Sequence, residues 1–162
     1  MRGTLHRQGQ LHTLRFERRL PHPPERIWRA ITDNSELAHW FPAAIQGGRA
    51  AGASLRFVFP NNEGPTLDGR MVVFDPPHTL EYSWGDDILR WELRPEGPET
   101  LLVFTHTFPD GAKAAGDAAG WTVCFEAFDR WLAGLPREPY APDRLEALVS
   151  DYSKQFGART SP

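Results

Sequence analysis

Cysteine is the plainest scarcity in this chain: Cys124 stands alone among 162 residues. One thiol cannot close an internal disulfide, which fits a reducing, cytoplasmic setting. Lysine is nearly absent although arginine is plentiful, an imbalance we read as base composition and not as chemistry. Positive charge is not in excess either. The formal net charge of −3 supplies no basic footprint, so nucleic acid is not expected as a partner. No stretch approaches 18 apolar residues, and residues 1–20 hold no apolar signal core, so neither a membrane span nor secretion is expected. Repeats and long low-complexity runs are missing too.

Chemical motifs are equally scarce. There is no nucleophile elbow, no phosphate-binding glycine loop and no paired-carboxylate signature. His12, His22, His39, His78 and His106 show no ligand spacing, and one cysteine is too few for a zinc cluster. Neither a metal nor a cofactor is therefore expected. Asp86-Asp87 reads most simply as a hairpin turn.

Aromatic side chains, by contrast, are abundant: 6 Trp and 10 Phe in a chain long enough for one domain with a sizeable core. Several of them crowd into Gly120–Leu135. At 100° per residue, Trp121, Cys124, Phe125, Phe128, Trp131, Leu132 and Leu135 share one stripe, opposite Thr122, Glu126, Asp129 and Arg130. Each ring can withdraw roughly 150–250 Å² from water. A surface of that size must be covered by a sheet, a partner or a ligand.

The rest of the chain suggests a sheet. Residues 1–10 are polar and are expected to be disordered. Leu14, Phe16 and Leu20 alternate with Arg15, Glu17 and Arg19 as in a half-buried strand, with Arg18 as a charge on the apolar face. Pro23-Pro24 then opens a helix with Ile27, Trp28 and Ile31 inward, and Ser35 is placed to cap a second short helix bearing Leu37, Trp40 and Phe41. Leu55, Phe57 and Phe59 mark another strand, followed by the turn-rich PNNEGPTLDG and by RMVVFDPP. Leu80, Tyr82 and Trp84, then Leu89, Trp91 and Leu93, alternate on either side of Gly85-Asp86 as a hairpin, and TLLVFTHTF supplies the last strand. FPDGAKAAGDAA (residues 108–119) reads as a mobile loop ahead of the long helix. A proline-rich linker precedes a tail helix with Leu145, Leu148, Val149, Tyr152 and Phe156 on one side, lying on the domain or on a second subunit as a homodimer contact. The expected division is 1–10, a domain over 11–136, and linker plus tail helix over 137–162. The class is α+β, an antiparallel sheet curled around one long helix.

PPERIWRAITD, LAHWF, GRMVVFDPPHTLEYSW, a strand ending in FTH, and GWTVCFEAFDRWL, in that order over roughly residues 10–135, resemble the START-like (SRPBCC) superfamily, most closely the branch of the activator of Hsp90 ATPase homologue. The resemblance implies a helix-grip fold with an apolar cavity between the sheet and the long helix. The branch's usual tryptophan after glycine matches Trp121, and its strand-terminal histidine matches His106. Phe125 and Phe128 replace leucines usual further along the helix, and their bulk could fill the cavity. Members of the superfamily bind sterols, polyketides, plant hormones or other apolar molecules, some are cyclases, and some assist chaperones.

The cavity candidates are Trp40, Phe57, Phe59, Met71, Trp84, Trp91, Phe104, Trp121, Cys124, Phe125 and Phe128, with Arg18 and His106 as polar groups on apolar faces. Each aromatic has an alternative reading as packed core, Cys124 as a small buried hydrophobe, Arg18 as a strand-end residue bonded to loop carbonyls, and His106 as a satisfied core histidine. The functional expectation is a small apolar, aromatic or polycyclic ligand held between sheet and helix. A cyclase or aromatase acting through Arg18 and His106, and an interaction module, are the alternatives.

Overall fold

The computed structural model describes residues 2–60 and 64–158. Eight strands form one curved, unclosed antiparallel sheet: β1 (Thr4–Gln8), β2 (Leu11–Leu20), β3 (Ala44–Gly47), β4 (Ser54–Val58), β5 (Leu67–Asp75), β6 (Thr79–Trp84), β7 (Asp87–Glu96) and β8 (Glu99–Phe108). Their order across the sheet is β1-β2-β8-β7-β6-β5-β4-β3. Four helices accompany them: α1 (Pro24–Thr32), α2 (Asn34–Leu37), α3 (Ala114–Leu132) and α4 (Pro142–Ala158). The sheet wraps α3, which is the helix-grip arrangement expected from the sequence.

Period-two alternation positions the strands. Leu89, Trp91 and Leu93 of β7 and Leu102, Phe104 and Phe108 of β8 are buried, and the rings of Trp91 and Phe104 pack against Trp121 and Phe125 of α3. Register Trp91↔Phe104 sets two rings side by side on that face. The β6–β7 hairpin turns at Gly85-Asp86 as expected, with Trp84 opposite Asp87. Gly85 has φ 60°, the left-handed conformation that a two-residue hairpin turn requires.

Four local expectations need correction. The N-terminal residues are not frayed: Thr4–Gln8 pair with Leu11–Arg15, and Gly3 N–H donates to Tyr152 Oη at 3.0 Å. Polarity misled there because an edge strand can be held by backbone pairing alone: no residue of Thr4–Gln8 is fully buried. Ser35 does not cap α2. Asp33, one residue ahead of the helix in extended conformation, accepts from Ser35 N–H at 3.0 Å and is the cap. Residues 108–119 are not a loop throughout: a 3₁₀ turn over Gly111–Lys113 leads directly into α3 at Ala114. Ala114, Ala118 and Ala119 are buried, so small size lets this half of the helix press against its neighbours, and alanine's helix propensity offsets the glycines. Finally, Ala44–Gly47 forms an edge strand beside β4 that the sequence reading did not separate from its surroundings. Asn61, Asn62 and Glu63 of the turn-rich segment lie outside the described residues, as do residues 159–162 of the tail.

The tail helix lies on its own domain. Leu148, Tyr152 and Phe156 are buried, and Thr122, expected on the solvent side of α3, is buried beneath α4 with its hydroxyl 2.8 Å from Tyr152 Oη. No helix among the described residues is long and apolar enough to cross a membrane.

Candidate functional site

Most of the aromatic residues expected to line a cavity instead fill the core. Trp40, Trp91, Phe104, Phe125 and Phe128 are all essentially inaccessible. Their ring centroids lie 4.2 Å apart for Trp91–Phe104, 4.6 Å for Trp40–Phe128 and 5.5 Å for Phe104–Phe125. Offset and edge-to-face packing at such distances leaves no room between neighbours. Phe57 packs on Trp84 at 4.6 Å, Phe59 meets the same indole at 5.8 Å, and Met71 is buried within the cluster. The larger side chains at 125 and 128 thus occupy the space that leucines would leave.

A pocket of about 210 Å³ survives beside the N-terminal half of α3. Trp84 and Pro42 face Gly116, Gly120, Trp121 and Cys124 across it. Gly116 and Gly120 are one helical turn apart, so the absence of two side chains keeps that wall open. Cys124 is a packed residue whose thiol burial pushes up to about 12, far from a reactive thiolate. His106, Lys113 and Asp117 make the pocket's polar side.

These three residues belong to a network with Asp87. Trp121 Nε1–H donates to His106 Nδ1 at 2.9 Å, and an indole nitrogen can only donate. Nδ1 therefore carries the lone pair, and Nε2, 2.8 Å from Asp87 Oδ2, carries the proton and donates to that carboxylate. A second proton on His106 would set two N–H groups head to head. Burial drives the His106 pKa below its ordinary value, against the pull of Asp87 and Asp117. With both nitrogens engaged inside the protein, His106 positions its neighbours and has no free lone pair to offer a guest.

Lys113 bonds Asp87 and lies 3.7 Å from Asp117 Oδ2, one helical turn further along. Burial alone would lower the Lys113 pKa, but the hydrogen bond to Asp87 and the two carboxylates outweigh it and raise it. Asp117 is the less satisfied acid: Oδ2 is buried without a hydrogen-bond partner, and burial holds its carboxyl above the usual range. Ligand atoms of Asp87, His106 and Asp117 lie within 4.8 Å of one another, a spacing that could serve a metal ion. The ammonium of Lys113 already supplies the cation to these acids, and both imidazole nitrogens are used. The donor set fits the chain's own lysine and not a metal.

The expected residues are therefore divided. Trp84, His106, Trp121 and Cys124 meet at the pocket, while Arg18 does not join them. It does face α3, as its place on the apolar side of β2 implied, but it pairs with Asp129 near the other end of that helix. Arg18 is opposite Leu102 on β8, four residues or about 13 Å from His106. Arg18 and His106 thus belong to separate side-chain networks, one with Asp129 and the other with Asp87 and Trp121. Pro42, Asp87, Lys113 and Asp117 were missed. A signal existed for Asp87: counting back by two from Leu93, Trp91 and Leu89 lands on it, so it heads the buried stripe of β7. Lys113 and Asp117 precede Trp121 at four-residue steps, a spacing visible only once residues 113–119 are recognised as the approach to a helix.

Solved structures share this fold. CalU16 from Micromonospora echinospora superposes with a TM-score of 0.76 at 20% identity, covering 97% of this chain and 92% of that one. BPP1335 from Bordetella parapertussis gives 0.71 at 26% identity, with 94% and 90% covered. DynU16, a protein of the dynemicin biosynthetic locus, gives 0.67 at 25% identity over 78% of this chain and 49% of its own. No curated protein matches the chain. The sequence model described as Activator of Hsp90 ATPase homolog 1-like protein matches residues 21–133. That span runs from the approach to α1 through the end of α3 and takes in six of the eight strands, so the chain belongs to the family of Activator of Hsp90 ATPase homolog 1-like proteins.

Proposed function

We propose that this protein binds a small planar molecule of one or two rings in the pocket beside α3, as a carrier or sensor and not as a catalyst. The observation that carries the reading is the pocket's composition: indole walls from Trp84 and Trp121, with charged Lys113 and Asp117 on one side. Binding sites for small molecules are mainly apolar with a few convergent polar groups. A volume of about 210 Å³ suits such a guest, since a cavity of about 150 Å³ already accepts a benzene. A larger polycycle would have to push Trp84 outward, and that ring is only half-buried. A polar substituent on the guest would meet Asp117 or Lys113. The likeness to DynU16 supports a role near small-molecule metabolism.

Thermal shift and native mass spectrometry against naphthol-sized phenols, flavonoids, polyketides and fatty acids test this reading. Naphthol-sized compounds are expected to raise the melting temperature, and Trp84→Ala is expected to remove the shift. If no compound in the panel raises it, the binding reading fails. A second reading, a cyclase-type enzyme, is favoured by Asp117, whose buried Oδ2 has no hydrogen-bond partner and whose pKa is raised by burial beside the apolar wall. It requires turnover that disappears in Asp117→Asn while binding persists; binding without product excludes it.

A further inference from the structure

A larger cavity lies on the other side of α3. The ring-bearing face of that helix (Trp121, Phe125, Phe128) is buried against the sheet. Val123, Ala127 and Arg130 fall roughly 180° around the helix from it, and they floor a groove of about 620 Å³. The linker and the first turn of α4 form its far wall, with Leu145 below and Pro139 and Tyr140 above. Its size falls within the roughly 300–1,000 Å³ typical of small-molecule sites. The linker's composition keeps it open: Pro136, Pro139 and Pro142 recur every third residue and hold the backbone extended, so it spans the groove without collapsing into it.

The charges around the groove do not cancel. Three arginines, Arg130, Arg137 and Arg144, and two acids, Glu126 and Glu138, border it. Arg130 is paired with Glu138 at 2.9 Å and Arg144 with Glu126. Arg137 makes no hydrogen bond or ion pair among the described residues. An uncompensated positive charge therefore stands at an apolar groove in a chain whose net charge is −3.

From this we propose a second binding site, distinct from the pocket beside His106, for an amphipathic acid: an apolar chain or ring system along Val123, Ala127 and Leu145, with its carboxylate on Arg137. The planar guanidinium can bond both carboxylate oxygens at once, and the apolar body displaces water from the floor.

Isothermal titration with decanoate, below its micelle concentration, tests the site, with decylammonium as the charge-reversed probe. One decanoate per chain is expected. Because a charge-assisted hydrogen bond is lost and a repulsion introduced, Arg137→Glu is expected to weaken binding at least tenfold. Val123→Trp, which fills the groove, is expected to abolish it, and decylammonium to bind at least tenfold more weakly than decanoate. Arg137 is exposed on the linker, so its variant retains the fold, and circular dichroism checks Val123→Trp. The proposal is overturned if decanoate does not bind, if both variants bind it like the original chain, or if decylammonium binds equally well. It is also overturned if sedimentation shows a dimer that Val123→Trp dissociates, because the occupant would then be a second copy of this chain.

Discussion

At the scale of single residues, His106 shows how burial and hydrogen bonding can remove a group from chemistry. An indole donor on one nitrogen and a carboxylate on the other assign its tautomer and leave it neutral. Its folded-state pKa lies below the roughly 6.5 of an unfolded histidine. Below that unfolded value the denatured chain takes up a proton that the native chain does not, so stability falls as pH drops from about 6.5 towards the native pKa. Above 6.5 both states are neutral and the contribution is fully present. Urea unfolding midpoints of the original chain and of His106→Gln, measured from pH 7.5 to 5.5, are therefore expected to differ in slope, with the shallower slope in the variant. Identical slopes would mean that His106 titrates freely in the native state. Asp87, Lys113 and Asp117 face the same ring and are present in both proteins, so the comparison isolates the imidazole.

At the scale of elements, α4 decides the fate of both its neighbours. Tyr152 joins three parts of the chain through one hydroxyl: it meets Thr122 of α3 at 2.8 Å and accepts from Gly3 N–H just before β1 at 3.0 Å. Gln155 adds a bond from its side-chain amide to Gly3 C=O at 3.0 Å. Tyr152→Phe keeps the buried ring but leaves the Gly3 N–H and the Thr122 hydroxyl with a lost partner, a cost of about 1–2 kcal/mol. Amide exchange should show the consequence at β1 first, with faster exchange at Leu5 and Arg7 than at Phe104. Unchanged protection of β1 would mean that its pairing with β2 holds it without help. A polar edge strand tied down by a helix about 150 residues later leaves almost no local trace in sequence, and for this reason residues 1–10 read as disordered.

At the scale of the whole molecule, the capacity for a guest depends on how rings from different elements interlock. Trp40 follows α2, Trp91 is on β7, Phe104 on β8, and Phe125 and Phe128 on α3, and together they close the interior. Replacing Phe125 and Phe128 together by leucine, the residue that the family resemblance leads one to expect there, should cost about 2–4 kcal/mol and open a cavity between sheet and helix. That variant is expected to gain binding of an apolar probe too large for the 210 Å³ pocket, measured as a thermal shift absent from the original chain. If the double variant loses stability without gaining a binder, its core has collapsed around the deletion.

The alternation of Leu89, Trp91 and Leu93, the prolines before Ile27 and the helical stripe from Trp121 to Phe128 each report their own neighbourhood, so these elements and their order were legible from sequence alone, whereas the edge strands β1 and β3 and the first turns of α3 were not. So was the placement of Arg18 and His106 on apolar faces. What those charges meet was not, because partnership depends on register and on which helix end arrives: Asp129 for Arg18, and Asp87 with Trp121 for His106. Amphipathic periodicity states that a surface is covered. Only side chains brought together from distant parts of the chain decide whether the cover is another ring, as over most of α3, or open space, as beside Gly116 and Gly120.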